Sequence, residues 1–442
     1  MDRDERDAET RFEYFGVQKA PLAVAEGLSI HQVRWKSIDG VPGVGLLLEP
    51  EGNTNPARAD VIAIPDADQS SEEIAGLRTG DERGTSPFAL LLAQSGCRVL
   101  VPSLINREEN DYRMTNREWL HRPAFELGRH LLGYELHAVL AGVDALNNTS
   151  AGEERSTGVI GFGEGGLLAL YAGALDSRLD AVAVSGYFGP RERLWLEPAE
   201  HNIFGLLETF GDAEIASLVA PRSLTIESGV YPDFVFSPGE DGEPALIEER
   251  SPTNGKPARF SVPSPAGVSE EWKRLREISP DDWEPRAITA NQAMNGDTLA
   301  SFAAGLDLED FDPTRKAIAL QEVRSDPEGH DHMAERHARQ MVAIERHTQR
   351  ALIQSRQDRQ DYFNDLKTDS LEAFEKSVEP YRDRFRTEVI GEFELERLPL
   401  NPRSRAYQEG PKTVSYEVVL DVFDEVFVYG IHTIPKNLDL DS

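Results

Sequence analysis

Gly161-Phe162-Gly163-Glu164-Gly165 follows the short apolar run Thr157 to Ile160 and precedes the helix-forming run Leu167 to Ala174. This is the strand, turn and helix setting in which acyl-transfer enzymes present a nucleophilic serine. There the central residue of a G-x-S-x-G pattern is held in a strained backbone conformation, its hydroxyl projects above the sheet, and the flanking glycines let strand and helix approach closely. Here the small residues are present, but the central position is Gly163, which has no nucleophilic atom. Glu164 beside it offers a backbone N–H to an oxyanion. Its carboxylate could serve as an unorthodox nucleophile, or simply complement the positive end of the helix that follows.

Such a turn needs a sheet to stand on. Apolar runs of strand length alternate with helical patterns along the chain, as a doubly wound, mostly parallel sheet with helices on both faces requires. Gln32 to Ser37 and Val44 to Leu48 read as an opening antiparallel pair joined by Asp39-Gly40-Val41-Pro42-Gly43. Val61 to Pro65 is expected as a buried strand, and Phe88 to Ser95 as a helix leading into the strand Arg98 to Val101. Leu132, Leu136, Val139, Leu140, Val143 and Leu146 share one helical face. That long helix, taken to include Arg129 and His130, delivers the chain to the strand before Gly161. Further strands are expected at Ala181 to Ser185, Arg222 to Glu227 and Arg286 to Ala290. Helices are expected at Ile203 to Phe210, Ala213 to Leu218, Ser269 to Ile278 and Thr298 to Leu306. Tyr231 to Gly267, rich in Pro, Gly and charge, reads as a long loop over the carboxyl ends of the strands.

Charge narrows the partners. A net charge of -32 over 442 residues disfavours nucleic acid and anionic membrane surfaces. No apolar run approaches the ~18 to 20 residues of a membrane span. Met1 to Phe15 is charged, reads as a helix, and lacks the basic start and apolar core of a signal peptide. The single cysteine, Cys97, excludes disulfides within the chain and a cysteine metal cluster, and its place in a strand-like run reads as a buried, inert thiol. The sequence calls for no cofactor and names no compartment.

After about residue 310 the texture changes. Asp331 to Asp365 is polar and free of Gly and Pro, with Met341, Ile344, Thr348, Ala351 and Ser355 on one face of a long helix that packs back on the preceding unit. Asp369 to Val378 and Tyr381 to Ile390 continue the helical pattern, and Leu398 to Pro411 reads as an extended linker. Asp39, Val41, Gly45 and Pro50 then match Asp424, Val426, Gly430 and Pro435 at one constant offset. The sharper reading of that match is a repeat, with Val414 to Pro435 as the first hairpin of a second domain; a chance match over so short a window is the plainer one. The expected organisation is an N-terminal extension (1–30), an α/β domain (31–310), a helical spacer and linker (311–412), and the start of a second, similar domain (413–442).

Three stretches carry a resemblance. Val61-Ile62-Ala63-Ile64-Pro65-Asp66-Ala67-Asp68-Gln69, Ala124-Phe125-Glu126-Leu127-Gly128-Arg129-His130 with the Gly163 turn, and Ala220-Pro221-Arg222-Ser223-Leu224 resemble the acetyl xylan esterase and dienelactone hydrolase branch of the α/β-hydrolases. The chain looks most like the N-terminal half of large two-domain bacterial members, over residues 30 to 310. The resemblance implies the α/β-hydrolase fold and acyl transfer by a Ser, a His that moves its proton, an Asp that orients the His, and two backbone N–H groups that hold the oxyanion.

Carried over residue by residue, that chemistry is depleted. Gly163 stands at the serine position. The base is expected after the last strand, in Asn291 to Asp297, which has no histidine; His330, followed by His332 and His337, is the nearest candidate. Those histidines at metal-ligand spacing are set against scattered residues of a solvated helix. Asp233 is the candidate acid after the strand Arg222 to Glu227, or a turn residue. Asp66-Ala67-Asp68 replaces the His-Gly that active relatives commonly present, and two carboxylates beside a developing negative charge would oppose catalysis; the alternative is that either aspartate caps the following turn. Trp119, Tyr187, Phe188 and Trp195 could form a carbohydrate platform or pack in the core, and Arg129 is expected to pair with Glu126.

The expectation is a degenerate hydrolase domain that scaffolds or regulates an esterase domain in the same polypeptide. The alternatives are an active carboxylic-ester hydrolase with a non-standard site, and a non-catalytic module that binds an ester or acylated carbohydrate in the old cleft.

Overall fold

The computed structural model describes residues 10–15, 20–51, 57–78, 85–112, 114–149, 155–192, 194, 197–232, 263–323, 332–392 and 395–437. Residues 1–356 and 357–442 form two compact units. In the first, the apolar runs become a sheet in the order β10-β9-β8-β7-β5-β6-β4-β3-β2-β11, with β1 also paired to β3. The strands are β1 (Glu13–Tyr14), β2 (Ala23–Ala25), β3 (Leu28–Ile38), β4 (Val41–Pro50), β5 (Ala59–Ile64), β6 (Cys97–Pro102), β7 (Thr157–Phe162), β8 (Ala181–Ser185), β9 (Ser223–Ser228), β10 (Arg286–Thr289) and β11 (Gln321–Glu322). From β6 through β5 to β10 neighbours run parallel, while β4 pairs antiparallel with both β3 and β6. Antiparallel strands confined to the start of the chain, with β4 set between β3 and β6, and one exchange of neighbours at β5 and β6 make this an α/β-hydrolase sheet.

Alternation along the strands divides the core. Ile62, Ile64, Val159, Val182 and Val184 face α4 (Leu131–Thr149), α5 (Glu164–Leu175), α7 (Asp212–Ser217) and α8 (Pro265–Glu277). Val61, Ala63, Ile160, Phe162, Ala181 and Ala183 face α1 (Ser71–Ile74), α2 (Phe88–Gln94) and α9 (Gly296–Ala304). The chain thus leaves β5 toward one face and β7 toward the other. A crevice opens at the carboxyl ends of adjacent strands at such a switch, and the functional residues belong there.

A second side-chain layer covers this end. α3 (Asn116–Phe125) packs with α4 and α10 (His332–Tyr362) around Val41, Ile105, Leu120, Tyr134 and Ile344. On α10 the buried residues are Arg336, Gln340, Ile344 and Thr348, one helical face. Arg336 Nη2 donates to both Glu72 oxygens at 2.9 Å, and Gln340 Nε2 to the Ser103 carbonyl at 3.0 Å. Two helical turns lie between β8 and α7: Ala199–His201, with Glu200 and His201 buried, and α6 (Leu206–Thr209), which is mostly exposed.

Several expectations change. Glu13–Tyr14 is a strand rather than part of a helix. α3 ends at Phe125 and α4 starts at Leu131, so Arg129 and His130 sit between the helices; Gly128, at φ 69°, makes that turn. α8 starts at Pro265, capped by the Ser264 hydroxyl, so the end of the supposed loop is helical. α11 (Leu371–Arg384) runs through Pro380 and continues as a π-helical segment, Phe385–Ile390.

The second unit holds a three-stranded antiparallel sheet, β12 (Arg403–Glu409), β13 (Thr413–Phe423) and β14 (Val426–Pro435). The supposed linker is therefore largely a strand. It lacks apolar alternation because it is an exposed edge, held by ladder bonds and by pairs such as Arg403 Nη2 to Asp421 at 2.5 Å. Its register repeats the opening of the first unit. Leu28 pairs with Pro50 and Ile38 with Val41; 385 residues later Thr413 pairs with Pro435 and Phe423 with Val426. β2 pairs Ala23 with Ile30 and Val24 with Ser29, and β12 pairs Gln408 with Ser415 and Glu409 with Val414, again 385 apart. The hairpin turns agree too, with Gly40 at φ 73° and Glu425 at φ 60°.

Candidate functional site

Gly163 sits between β7 and α5 at φ 59°, ψ −118°, the strained turn expected of a nucleophile position. Its glycine neighbours are there for close approach. A Cβ on Gly161 would lie 1.9 Å from the Gly165 carbonyl oxygen, and one on Gly165 would lie 2.2 Å from that of Ile64. The elbow is thus retained as a shape. The space above it is filled from within: a Cβ on Gly163 would meet Asp66 Oδ1 at 2.4 Å and Pro232 Cγ at 2.5 Å.

Asp66 follows β5. Its Oδ1 accepts the Glu164 N–H at 2.9 Å, and its Oδ2 accepts the Asp68 N–H at 3.2 Å and Arg107 Nη1 at 3.0 Å. The Glu164 N–H is the donor that would face an oxyanion in a working elbow. Asp66 therefore does more than cap the next turn: its carboxylate is already paired with that N–H.

The Glu164 side chain turns inward and is fully enclosed. Oε1 accepts from Arg117 Nη2 at 2.6 Å; Oε2 accepts from Arg107 Nη2 at 2.7 Å and lies 2.8 Å from His201 Nε2. Burial opposes its charge, but Arg117, His201 and Arg107 together hold its pKa well below the ordinary carboxylate range. Burial opposes the His201 charge too; Glu164 and Glu197, the latter 2.7 Å from Nδ1, outweigh it and raise His201 to about 10. Arg117 also makes a forked pair with Glu135 at 2.8 and 2.9 Å. Beyond Glu197 lie Arg191, at 3.4 Å, and Asp212, 2.9 Å from Arg191 Nε. Elsewhere burial outweighs the ion pairs: Glu135 despite its fork with Arg117, Asp212 despite Arg191, and Glu200 are all raised.

This cluster surrounds a cavity of about 30 Å³ lined by Asp66, Gly163, Glu164, Tyr187, Arg191 and His201, among others. One water-sized molecule fills such a space. Tyr187 and Phe188 are core residues, and Arg191 lies over the Tyr187 ring at 3.8 Å. Trp119 donates from Nε1 to Glu345 at 2.6 Å. Tyr187 and Phe188 pack in one core cluster and Trp119 against another, and Trp195 lies outside the described residues.

Asp233 and His330 also lie outside the described residues. The carboxylate at the end of β9 is Glu227. It accepts from Ser185 Oγ at 2.5 Å, from the Met294 N–H at 2.9 Å and from the Thr298 hydroxyl, anchoring the loop where a base was expected. His337 accepts the Asn106 N–H on Nε2 at 3.2 Å and lines a separate cleft of about 670 Å³ with Asp68, Gln69, Ser70, Ser103 and Arg336. Burial, helped by the nearby Arg336 charge and opposed by Glu108, lowers the His337 pKa. Cys97 is buried, its thiol pushed up to about 12 chiefly by burial.

Sequence reasoning reached the elbow and the unusual aspartates but missed Arg107, Arg117, Arg191 and His201. One signal was available. Arg117, Leu120, His121 and Ala124 are the buried residues of α3 and stand at helical spacing, so a stripe that admitted charge would have marked Arg117 as inward.

No family model matches the sequence, and no curated protein sequence matches it. Among solved structures, a Bacteroides fragilis protein assigned as an acetyl xylan esterase aligns at 19% identity over 48% of this chain and 63% of its own, under two thirds of its length, with a TM-score of 0.38. Acetyl xylan esterase 1 from Thermoanaerobacterium sp. aligns at 15% identity over 68% of this chain and 87% of its own, with a TM-score of 0.39. A glucuronoyl esterase from Solibacter usitatus aligns at 15% identity over 69% and 87%, with a TM-score of 0.40. With TM-scores below 0.5 these are loose likenesses, and the fold stands on the sheet order itself.

Proposed function

We propose that residues 31–310 are a catalytically silent α/β-hydrolase domain, of acetyl xylan esterase-like descent, that scaffolds or regulates a hydrolase domain in the same polypeptide. The observation that carries this reading is the Asp66 carboxylate 2.9 Å from the Glu164 N–H. An oxyanion hole works because its donors wait unpaired for charge that develops in the transition state, and loss of one such donor costs ~10²- to 10³-fold in rate. Here the donor is already spent on a fixed negative charge. A substrate carbonyl would have to displace a carboxylate that Arg107 also holds, at a position where Gly163 supplies nothing to attack it.

Glu164 is a poor substitute nucleophile. Both its oxygens are engaged by Arg107, Arg117 and His201. Those bonds stabilise the ground-state carboxylate and would be lost on attack, which raises the barrier. The purified protein is expected to hydrolyse acetyl esters such as 4-nitrophenyl acetate and acetylated xylo-oligosaccharides no faster than a denatured control. Turnover that survives repurification and disappears in Glu164→Gln would overturn the reading.

A second reading, a binding module, draws support from the 670 Å³ cleft rather than from the old site. Its size suits a small ligand, and the buried Arg336 Nη1 has no hydrogen-bond partner among the described residues. Thermal stabilisation by an acetylated xylo-oligosaccharide without product release, lost in Arg336→Met, would favour it.

A further inference from the structure

β14 carries Val426, Phe427, Val428, Tyr429 and Ile431 exposed, at 50%, 62%, 52%, 56% and 47% of their surface. A long apolar edge strand of this kind templates pairing with another chain unless it is covered, and a small sheet needs a packed face to be stable. The first unit records what covers its counterpart. β4 is paired antiparallel to β6 from Gly45 opposite Pro102 to Leu48 opposite Val99, and Leu46, Leu47 and Leu48 are fully buried.

One residue fixes the comparison. Gly45 has no positive φ, so its backbone would accept any residue; a Cβ there would lie 2.1 Å from the Val101 carbonyl oxygen. It is glycine because the neighbouring strand passes too close for a side chain. Gly430, 385 positions later in the same register, also has no positive φ, and nothing lies within 4 Å of where its Cβ would be. In a half-exposed strand glycine costs stability relative to a β-branched residue. Nothing among the described residues accounts for it.

We infer that the outer edge of β14, centred on Gly430 to Thr433, is the seat of an antiparallel strand equivalent to β6, supplied by a second α/β sheet that follows Ser442 in the same polypeptide. This inference shares with the proposed function the reading that a second hydrolase-fold unit exists, but it names the surface that the unit completes. The strand's carbonyl would pass over Gly430 as Val101 passes over Gly45, and helices on either side would cover Ile431 and its neighbours.

Two measurements test it. In the complete gene product, the alternate β14 amides that do not bond β13 should exchange at least ~100-fold more slowly than in the 442-residue chain. Gly430→Val should leave the melting temperature of the 442-residue chain unchanged or raised, and should lower that of the second unit in the complete product. Protection that instead rises with concentration of the 442-residue chain would assign the edge to a second copy and overturn the inference. So would a tolerated Gly430→Val in the complete product, equal exchange in both proteins, or a gene product that ends at Ser442. A gene product that ends at Ser442 would remove the second unit from both readings; the other outcomes leave the silent site at Gly163 and Asp66 untouched, and ester turnover tests that site without bearing on β14, so the two failures are told apart.

Discussion

Gly163 shows how tightly this turn is closed to a side chain. Restoring the hydroxyl by Gly163→Ser places a Cβ 2.4 Å from Asp66 Oδ1 and 2.5 Å from Pro232 Cγ, on a backbone at φ 59°. Overpacking of ~1 to 3 kcal/mol adds to the backbone strain, so the variant should be destabilised by at least ~2 kcal/mol in urea titration and remain inactive. Adding Asp66→Gly should recover part of that loss; simple additivity of the two changes would mean that they do not meet. His201 gives the site a pH signature. Its pKa rises from the ordinary histidine value to about 10 on folding, so its stabilisation is complete below pH ~6.5 and fades as pH climbs through 10, by at most about 1.4 kcal/mol per pH unit. Glu164, held low, acts in the opposite sense and loses its contribution in acid. His201→Asn should therefore cost most at pH 6 and progressively less by pH 9.5 in denaturant midpoints; a constant difference would show that His201 is neutral in the folded protein. The glycine at the nucleophile position could be read from spacing. The carboxylate paired with the Glu164 N–H could not, because Asp66 and Glu164 meet only through the parallel pairing of β5 and β7.

At the scale of elements, legibility followed how purely apolar each element is. β8 was found with its exact ends, Ala181 to Ser185, and α4 from its leucine stripe, because buried hydrocarbon leaves an unmistakable period. α3 was overlooked although its inward residues are regularly spaced, since Arg117 and His121 occupy half of them. β12 was mistaken for a linker for the reverse reason: an exposed edge strand has no inside, so ladder bonds rather than hydrophobicity define it. α10 was recognised as a helix, but its anchor, the buried pair of Arg336 with Glu72, joins residues far apart in sequence and leaves no local trace. The same limit hid the ionic cluster, whose members come from the loops after β5 and β6, from α3, α4 and α5, and from the stretch between β8 and the start of α7.

For the whole molecule, the repeated hairpin has a kinetic side. β3–β4 and β13–β14 share one register and one turn, and Gly45 and Gly430 both lack the side chain that would collide with the Val101 carbonyl. Either hairpin can therefore be offered to the unpaired edge of β6 while the sheet assembles. During synthesis the order of emergence protects the correct choice, for β3–β4 and β6 are complete long before Thr413 leaves the ribosome. Dilution from denaturant removes that order and lets the two hairpins compete, a route to misassembly characteristic of repeated units. Gly430→Val should bar the late hairpin from β6 without touching the first unit, and the yield of monomer recovered on rapid refolding should rise. An unchanged yield would mean that β3–β4 reaches β6 too quickly for its copy to interfere.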